Sequence, residues 1–87
     1  MRKVSNISEP ANDTVRLMIY SSEEGAYLFG FTSLNDGSCN WDEWYETEEE
    51  AIERARYKYG VNEELWEIID DPQPGCRHDW IEPVQVE

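Results

Sequence analysis

Three segments in the first half of the chain alternate apolar and polar residues, a period of two that is typical of β-strands. They are residues 14–20 (TVRLMIY), 26–32 (AYLFGFT) and 39–46 (CNWDEWYE). The sequence Asn35-Asp36-Gly37 lies between the second and the third, and Asn, Asp and Gly tolerate the positive φ that a tight hairpin turn needs. The pattern therefore predicts a three-stranded antiparallel meander.

The following segment has the sequence signature of a helix. Thr47 precedes three glutamates, and Glu50 stands three residues after it, which is the spacing of a capping box. Residues 48–59 place small and apolar side chains on one narrow stripe, and Gly60 suits the left-handed C-terminal cap. The sequence predicts a helix over 48–59 that packs on the sheet.

Two further strands are expected after the helix. Residues 65–69 (LWEII) form a short apolar run between turn residues, and residues 79–86 (DWIEPVQV) contain Pro83, which favours an edge strand. The proline-rich stretch 70–75 is expected to be a loop. Because residues 1–13 are polar and show no periodicity, they are predicted to be a flexible tail.

These elements give the order β-β-β-α-β-β. We predict a small α+β fold, in which a mostly antiparallel sheet of about five strands carries one helix on one face. Residues 14–87 are expected to form a single domain behind the tail of residues 1–13.

Charge limits the choice of partners. The 87-residue chain has 20 acidic and 7 basic residues, and its formal net charge is -13. Such a field repels nucleic-acid phosphates and anionic lipids, and it attracts basic protein surfaces. The chain has no apolar run long enough for a membrane span and no hydrophobic segment after Arg2 and Lys3, so a cytoplasmic location is expected.

A cluster of potentially reactive side chains lies in residues 76–79, Cys-Arg-His-Asp, and Cys39 is the second cysteine. Cysteine, histidine and carboxylate suit either thiol catalysis or a metal site. Paired C-x-x-C or H-x-x-x-H spacings are lacking, and close neighbours in one segment are poor catalytic partners. No catalytic residue, metal or cofactor is predicted. A small metal-binding or thiol-dependent protein centred on Cys76 and His78 remains an alternative.

Aromatic residues are more numerous than one sheet face and one helix can cover. Trp41 and Trp44 are three positions apart, so on a regular strand they point to opposite faces, and one of them should lie on the side without the helix. An open face with aromatic side chains and a carboxylate rim is typical of a protein-binding surface. The candidate contact residues are Trp41, Trp44, Tyr45, Trp80, Asp42 and Glu43.

The leading hypothesis is a non-enzymatic, acidic interaction module that binds a basic protein, as an inhibitor or an immunity-like partner would. Exposed aromatic residues also stabilise cross-strand pairs without any partner, which is an equally weighted interpretation of the same residues. A homodimer that buries the open face, with a purely structural role, is the third alternative.

Overall fold

The protein forms a five-stranded antiparallel sheet with one helix, an α+β fold that confirms the prediction from sequence. A computed structural model describes residues 1–11 and 13–84. The elements in chain order are β1 (Arg2–Ala11), β2 (Thr14–Ser22), β3 (Gly25–Phe31), β4 (Trp41–Tyr45), α1 (Glu48–Tyr59) and β5 (Glu67–Ile69), with a short 3-10 turn at Glu63–Leu65 before β5.

The strands are arranged in the order β4-β3-β2-β1-β5, so β4 and β5 are the two edges. The register places Lys3, Ile19, Leu28 and Glu43 in one row across four strands. The neighbouring row, on the opposite face, contains Arg2, Tyr20, Tyr27 and Trp44. Side chains alternate between faces along each strand, and these rows therefore define which residues meet the helix.

The prediction of a flexible N-terminal tail is wrong. Arg2–Ala11 forms β1, which lies between β2 and β5 and pairs with both. This strand has only two large apolar residues in its described part, Val4 and Ile7, and its pairing with β2 shifts register after Asn6. Backbone pairing with two neighbours holds a strand whose side chains show no clear period of two.

The predicted last strand is also wrong for the residues that the structure describes. Residues 79–84 have no strand conformation, while residues 85 and 86 of the prediction lie outside the described part of the chain. The strand predicted for 65–69 is shortened to Glu67–Ile69, and it pairs with β1 at the sheet edge. The fifth strand of the sheet is thus supplied by the N-terminus and not by the C-terminus.

The helix prediction is confirmed at both ends. The Thr47 side chain accepts a hydrogen bond from the backbone N–H of Glu50, and Gly60 adopts φ 71° as the left-handed cap. Within residues 1–11 and 13–84, no helix has the length and apolarity that crossing a lipid bilayer requires.

The larger core lies between α1 and the sheet. Apolar side chains from four elements and the segment after the helix meet there, and most are completely excluded from solvent. Its buried members are Ile7, Leu17, Ile19, Ala26, Leu28, Ala51, Ala55, Tyr59 and Val61. Burial of this much apolar surface is the dominant stabilising term for the helix face.

The other face of the sheet carries a smaller core of Val4, Met18, Phe29 and Phe31. Residues 70–84, named the C-terminal segment below, lie over it, and Ile69, Cys39 and Ile81 pack against its edge. The expectation of an open face opposite the helix is therefore wrong for most of that face. One end of it stays exposed.

Candidate functional site

Arg2 fixes the C-terminal segment to the sheet. Its side chain is 2% exposed, and among the described residues its guanidinium donates hydrogen bonds to backbone carbonyl oxygens alone. The Nε atom donates to Asp70 at 2.7 Å, and Nη1 donates to His78 at 3.0 Å and to Trp80 at 2.5 Å. The planar fork of donors thereby joins both ends of an irregular loop to the first strand.

The connection between β3 and β4 supplies a second set of anchors. The Asp36 carboxylate accepts hydrogen bonds from the backbone N–H groups of Ile81 and Glu82 at 2.9 and 2.8 Å. The Asp79 carboxylate accepts one from the backbone N–H of Cys39 at 2.8 Å. These contacts satisfy backbone donors that a segment without strand or helix cannot pair internally.

The same connection corrects the hairpin prediction. Residues 32–40 separate β3 from β4, and neither Asn35, Asp36 nor Gly37 has a positive φ. The strands are antiparallel neighbours as expected, but a tight turn does not join them. Asp36 directs its carboxylate to the C-terminal segment and to the N–H of Gly37, and this role needs a longer loop.

The exposed end of the second face carries an aromatic strip, defined as Tyr27, Phe29 and Trp44. Tyr27 lies opposite Trp44 in the β3–β4 register, and Phe29 lies opposite Asp42. Tyr27 is 40% and Trp44 51% exposed, while the ring of Phe29 is mostly buried. The Tyr27 and Phe29 rings are parallel, with centroids 5.7 Å apart.

The Trp44 ring packs directly against the backbone of Gly25. An ideal Cβ built on Gly25 would approach a carbon of the Trp44 ring to 2.6 Å, so the indole lies directly on the glycine backbone. The φ of 152° at this position also favours glycine. An indole that rests on backbone loses little conformational freedom when a partner covers its other side.

Carboxylates surround this end of the sheet. Four exposed acidic residues are close to the strip along the chain, with Glu23 and Glu24 in the β2–β3 turn, Asp42 on β4 and Glu46 directly after β4. They form the acidic rim of the strip. An aromatic centre with a polar, charged border is the usual anatomy of a protein-binding surface.

Trp41, a predicted contact residue, lies on the helix side of the sheet. Its ring stacks on Tyr59 with centroids 5.8 Å apart, and its Nε1–H donates to Thr14 Oγ1 at 3.0 Å. The ring also lies over Gly30, where a Cβ would clash with it. Trp41 and Trp44 thus point to opposite faces, as their spacing predicts, and only Trp44 belongs to the strip.

Tyr45 and Glu43, also predicted contact residues, face the helix as well. Tyr45 packs on the larger core, and its hydroxyl donates to Glu43 Oε1 at 2.8 Å. Burial raises the pKa of Tyr45 to about 12, and the hydrogen bond to Glu43 adds to the shift. A 4.0 Å ion pair joins Glu43 to Arg54, so these side chains help to dock α1 on β4.

Trp80 belongs to the C-terminal segment and is partly buried. Its Nε1–H donates to Ser38 Oγ at 3.1 Å, while its carbonyl accepts from Arg2.

The structure therefore separates the six predicted contact residues. Trp44 and Asp42 lie on the exposed end of the second face, Trp41, Tyr45 and Glu43 on the helix side, and Trp80 in the C-terminal segment. Sequence reasoning did not include Tyr27 among the contact residues, although its alternation with Leu28 indicates that the two side chains lie on opposite faces of the sheet.

The fold brings the two cysteines to one pocket, named the Phe29 pocket here. It has a volume of about 340 Å³ and is lined by Phe29, Cys39, Asp42, Cys76, Arg77, His78 and Asp79. Burial raises the pKa of the Cys39 thiol to about 11, with further contributions from Asp79 and Asp42. A thiol that is protonated at neutral pH is a poor nucleophile and a poor metal ligand.

Both cysteines are free thiols. In the part of the chain that the structure describes, no three His, Cys, Asp or Glu side chains are grouped in a way that could hold a metal ion.

Several of the seven basic side chains are buried or form ion pairs within the molecule. Arg2 and Arg16 are buried, at 2% and 5% exposure, and Lys3 pairs with Glu48. Arg56 pairs with Glu53 on the outer surface of α1. Most of the cations are therefore buried or paired, whereas the residues of the acidic rim are exposed to solvent.

Comparisons with protein-family models, with curated proteins and with solved structures return no match for this chain. The interpretation of the strip therefore depends on its own geometry and charge.

Proposed function

We propose that the protein is a non-enzymatic binding module for a basic protein and that the aromatic strip with its acidic rim is the contact surface. In this proposal the protein acts in the cytoplasm, and neither nucleic acid nor a membrane is its partner. The single observation that carries the proposal is the exposed cross-strand pair of Tyr27 and Trp44 beside the carboxylate of Asp42.

Physical reasoning favours contact at this place over others. Trp and Tyr supply large rigid surfaces and are enriched among the residues that dominate binding energy. A charged rim adds steering and selectivity for a partner of opposite sign. Elsewhere, the exposed Tyr57 on α1 shares a pocket with Tyr45, but Arg54 and Arg56 line that pocket as well and would oppose a basic partner.

The formal charge of -13 narrows the partner further. Two copies of this chain repel each other, which disfavours self-association through the strip. A cationic groove that binds phosphates is the natural complement of a compact acidic surface. The proposal therefore extends to inhibition of a nucleic-acid-active protein by occupation of such a groove.

The test compares capture of basic proteins from the native cell, at low salt, by the wild-type protein and two variants. Trp44→Ala removes the centre of the strip, and Tyr57→Ala is the matched control because Tyr57 is 88% exposed on the opposite side of the sheet. We expect the wild type and Tyr57→Ala to retain the same basic protein and Trp44→Ala to lose at least tenfold in retention.

The proposal also predicts that added salt releases the captured protein, because opposite charges at an exposed rim are screened. Equal capture by wild type and Trp44→Ala, or capture of acidic and neutral proteins only, would contradict it.

A further inference from the structure

The Phe29 pocket is continuous with the aromatic strip. Phe29 belongs to both, because its ring lines the pocket on one side and lies parallel to Tyr27 on the other. Asp42, the cross-strand neighbour of Phe29, also lines the pocket. A partner lying on Tyr27 and Trp44 therefore has the pocket within reach of its next side chain.

Two carboxylates give the pocket a negative field. Asp42 is exposed, and no ion pair of Asp42 occurs among the described residues. Asp79 uses Oδ2 to accept the Cys39 N–H, and this hydrogen bond fixes the carboxylate in place. After burial, Asp79 and then Asp42 are the causes that raise the pKa of Cys39, which indicates that both carboxylates act on the same small region.

We propose that the Phe29 pocket receives one arginine side chain of the basic partner, an inference that rests on the proposed function. The guanidinium lies against the part of the Phe29 ring that lines the pocket and donates hydrogen bonds to Asp42. Arginine suits the pocket better than lysine because its planar, weakly hydrated head group combines aromatic stacking with bidentate bonding to a carboxylate. The volume of about 340 Å³ leaves room for one arginine side chain.

Arg77 offers a second test of the proposal, because its substitution should change arginine binding in the opposite direction to that of Asp42. It is an exposed cation of the chain itself that lines the same pocket, and no ion pair with Asp42 or Asp79 is present among the described side chains. A like charge at the pocket opposes an incoming guanidinium. Loss of the Arg77 charge is therefore expected to strengthen arginine binding, whereas loss of the Asp42 charge weakens it.

The experiment uses the full chain and two short peptides, acetyl-Gly-Arg-Gly-Arg-Gly-amide and its citrulline analogue, which is nearly isosteric and uncharged. Binding is followed by backbone amide shifts in NMR at low salt. For the wild type, the arginine peptide should bind at least threefold more tightly than the citrulline peptide and should shift the amides of Phe29 and Asp42 most.

The variants then test the assignment to this pocket. Asp42→Asn should weaken the arginine peptide about three- to tenfold, and Arg77→Gln should strengthen it about two- to threefold. Glu64→Gln, an exposed charge removed elsewhere, is the control for net charge and should change binding by less than Asp42→Asn does. Unchanged amide spectra away from each substitution confirm that the variants are folded.

Equal binding of the two peptides to the wild type, or equal effects of Asp42→Asn and Glu64→Gln, overturns the pocket proposal. That outcome is separable from failure of the proposed function. If Trp44→Ala abolishes capture of a basic protein while Asp42→Asn leaves arginine binding unchanged, the strip remains a binding surface and only the pocket assignment fails.

Discussion

The two faces of the sheet are covered by different physical means. On one face, α1 packs apolar side chains against Leu17, Ile19 and Leu28, all excluded from solvent. On the other, the C-terminal segment is irregular and is held largely by hydrogen bonds from Arg2 and to Asp36 and Asp79. The burial of apolar surface stabilises a contact in any orientation, whereas a hydrogen bond forms only where a donor and an acceptor have the right distance and angle.

This difference explains why an exposed surface remains. A helix covers a broad area of sheet, but a segment tied at a few points covers only the area near its anchors. Arg2, Asp36 and Asp79 place the segment over Val4, Met18 and Phe31, and the end at Tyr27 and Trp44 stays exposed. The strip is thus a consequence of how the second face is covered.

The first and largest expected effect is on the helix face. Leu28→Ala removes a side chain that is completely buried, and the cavity should lower the free energy of unfolding by about 3 kcal/mol. Denaturant unfolding measures this loss, and Ile68→Ala, at an exposed edge position, is the matched control with a change within about 0.5 kcal/mol. A loss below about 1 kcal/mol for Leu28→Ala would mean that this core does not dominate stability.

The second prediction separates the two faces. Arg2→Met keeps an apolar stem of similar length but leaves the carbonyls of Asp70, His78 and Trp80 without their donor. We expect a cost of about 1–3 kcal/mol, expressed as local opening of the C-terminal segment.

Hydrogen exchange gives the readout for Arg2→Met. The amides of Cys76, Arg77 and Ile81, which donate to Gln73, Val84 and Asp36, should exchange faster, while amides of α1 keep their protection. Equal acceleration in α1 and in the segment would contradict separate coverage of the two faces.

The third prediction contrasts two buried arginines. Arg16 is 5% exposed like Arg2, but its Nε and Nη2 have no hydrogen-bond partner among the described residues, and only Nη1 donates, to the carbonyl of Leu34. Burial lowers the pKa of Arg16. Because a poorly satisfied buried charge stabilises little, Arg16→Met should change the free energy of unfolding by less than about 1 kcal/mol, with either sign. A loss as large as that of Arg2→Met would show that the Arg16 contact with the Phe31 ring matters more than expected.

The last prediction concerns the ionisation of Cys39, which has no effect on stability at neutral pH. Its pKa is raised to about 11, so alkylation by iodoacetamide in the Cys76→Ser variant should reach half its maximal rate near pH 11, well above an ordinary cysteine. The fold binds this proton more tightly than the unfolded chain does. Its contribution to stability is therefore complete below about pH 9 and is lost as the pH rises through 11. Asp79→Asn should move the alkylation midpoint to lower pH, and an unchanged midpoint would exclude Asp79 as a cause.

Local patterns in the sequence predicted the elements whose side chains show a clear period. The strands β2, β3 and β4 follow from alternation, and α1 follows from the capping residues Thr47 and Gly60. The alternation of apolar and polar residues did not indicate β1, because that strand is held by backbone pairing with β2 and β5. The predicted final strand failed because the carbonyls of Trp80 and Ile81 accept hydrogen bonds from the Arg2 side chain instead of from a neighbouring strand.

The candidate surface was predictable in part. The spacing of Trp41 and Trp44 placed one ring on each face, and the structure confirms that Trp44 lies opposite the helix. The extent of the exposed area was not predictable, because it depends on contacts between Arg2 and residues 68 to 79 positions away in the chain. No local pattern encodes contacts of that separation.

Binding at the aromatic strip is measured most directly from the indole N–H signals of the four tryptophans while the arginine peptide, or a captured basic protein, is titrated into the wild-type chain. Trp44 lies on the aromatic strip, Trp41 and Trp66 pack on the helix side, and Trp80 belongs to the C-terminal segment. We expect the Trp44 signal to shift most and the Trp41 and Trp66 signals to stay unchanged. Largest shifts at Trp41 or Trp66, with Trp44 unmoved, would contradict binding at the strip.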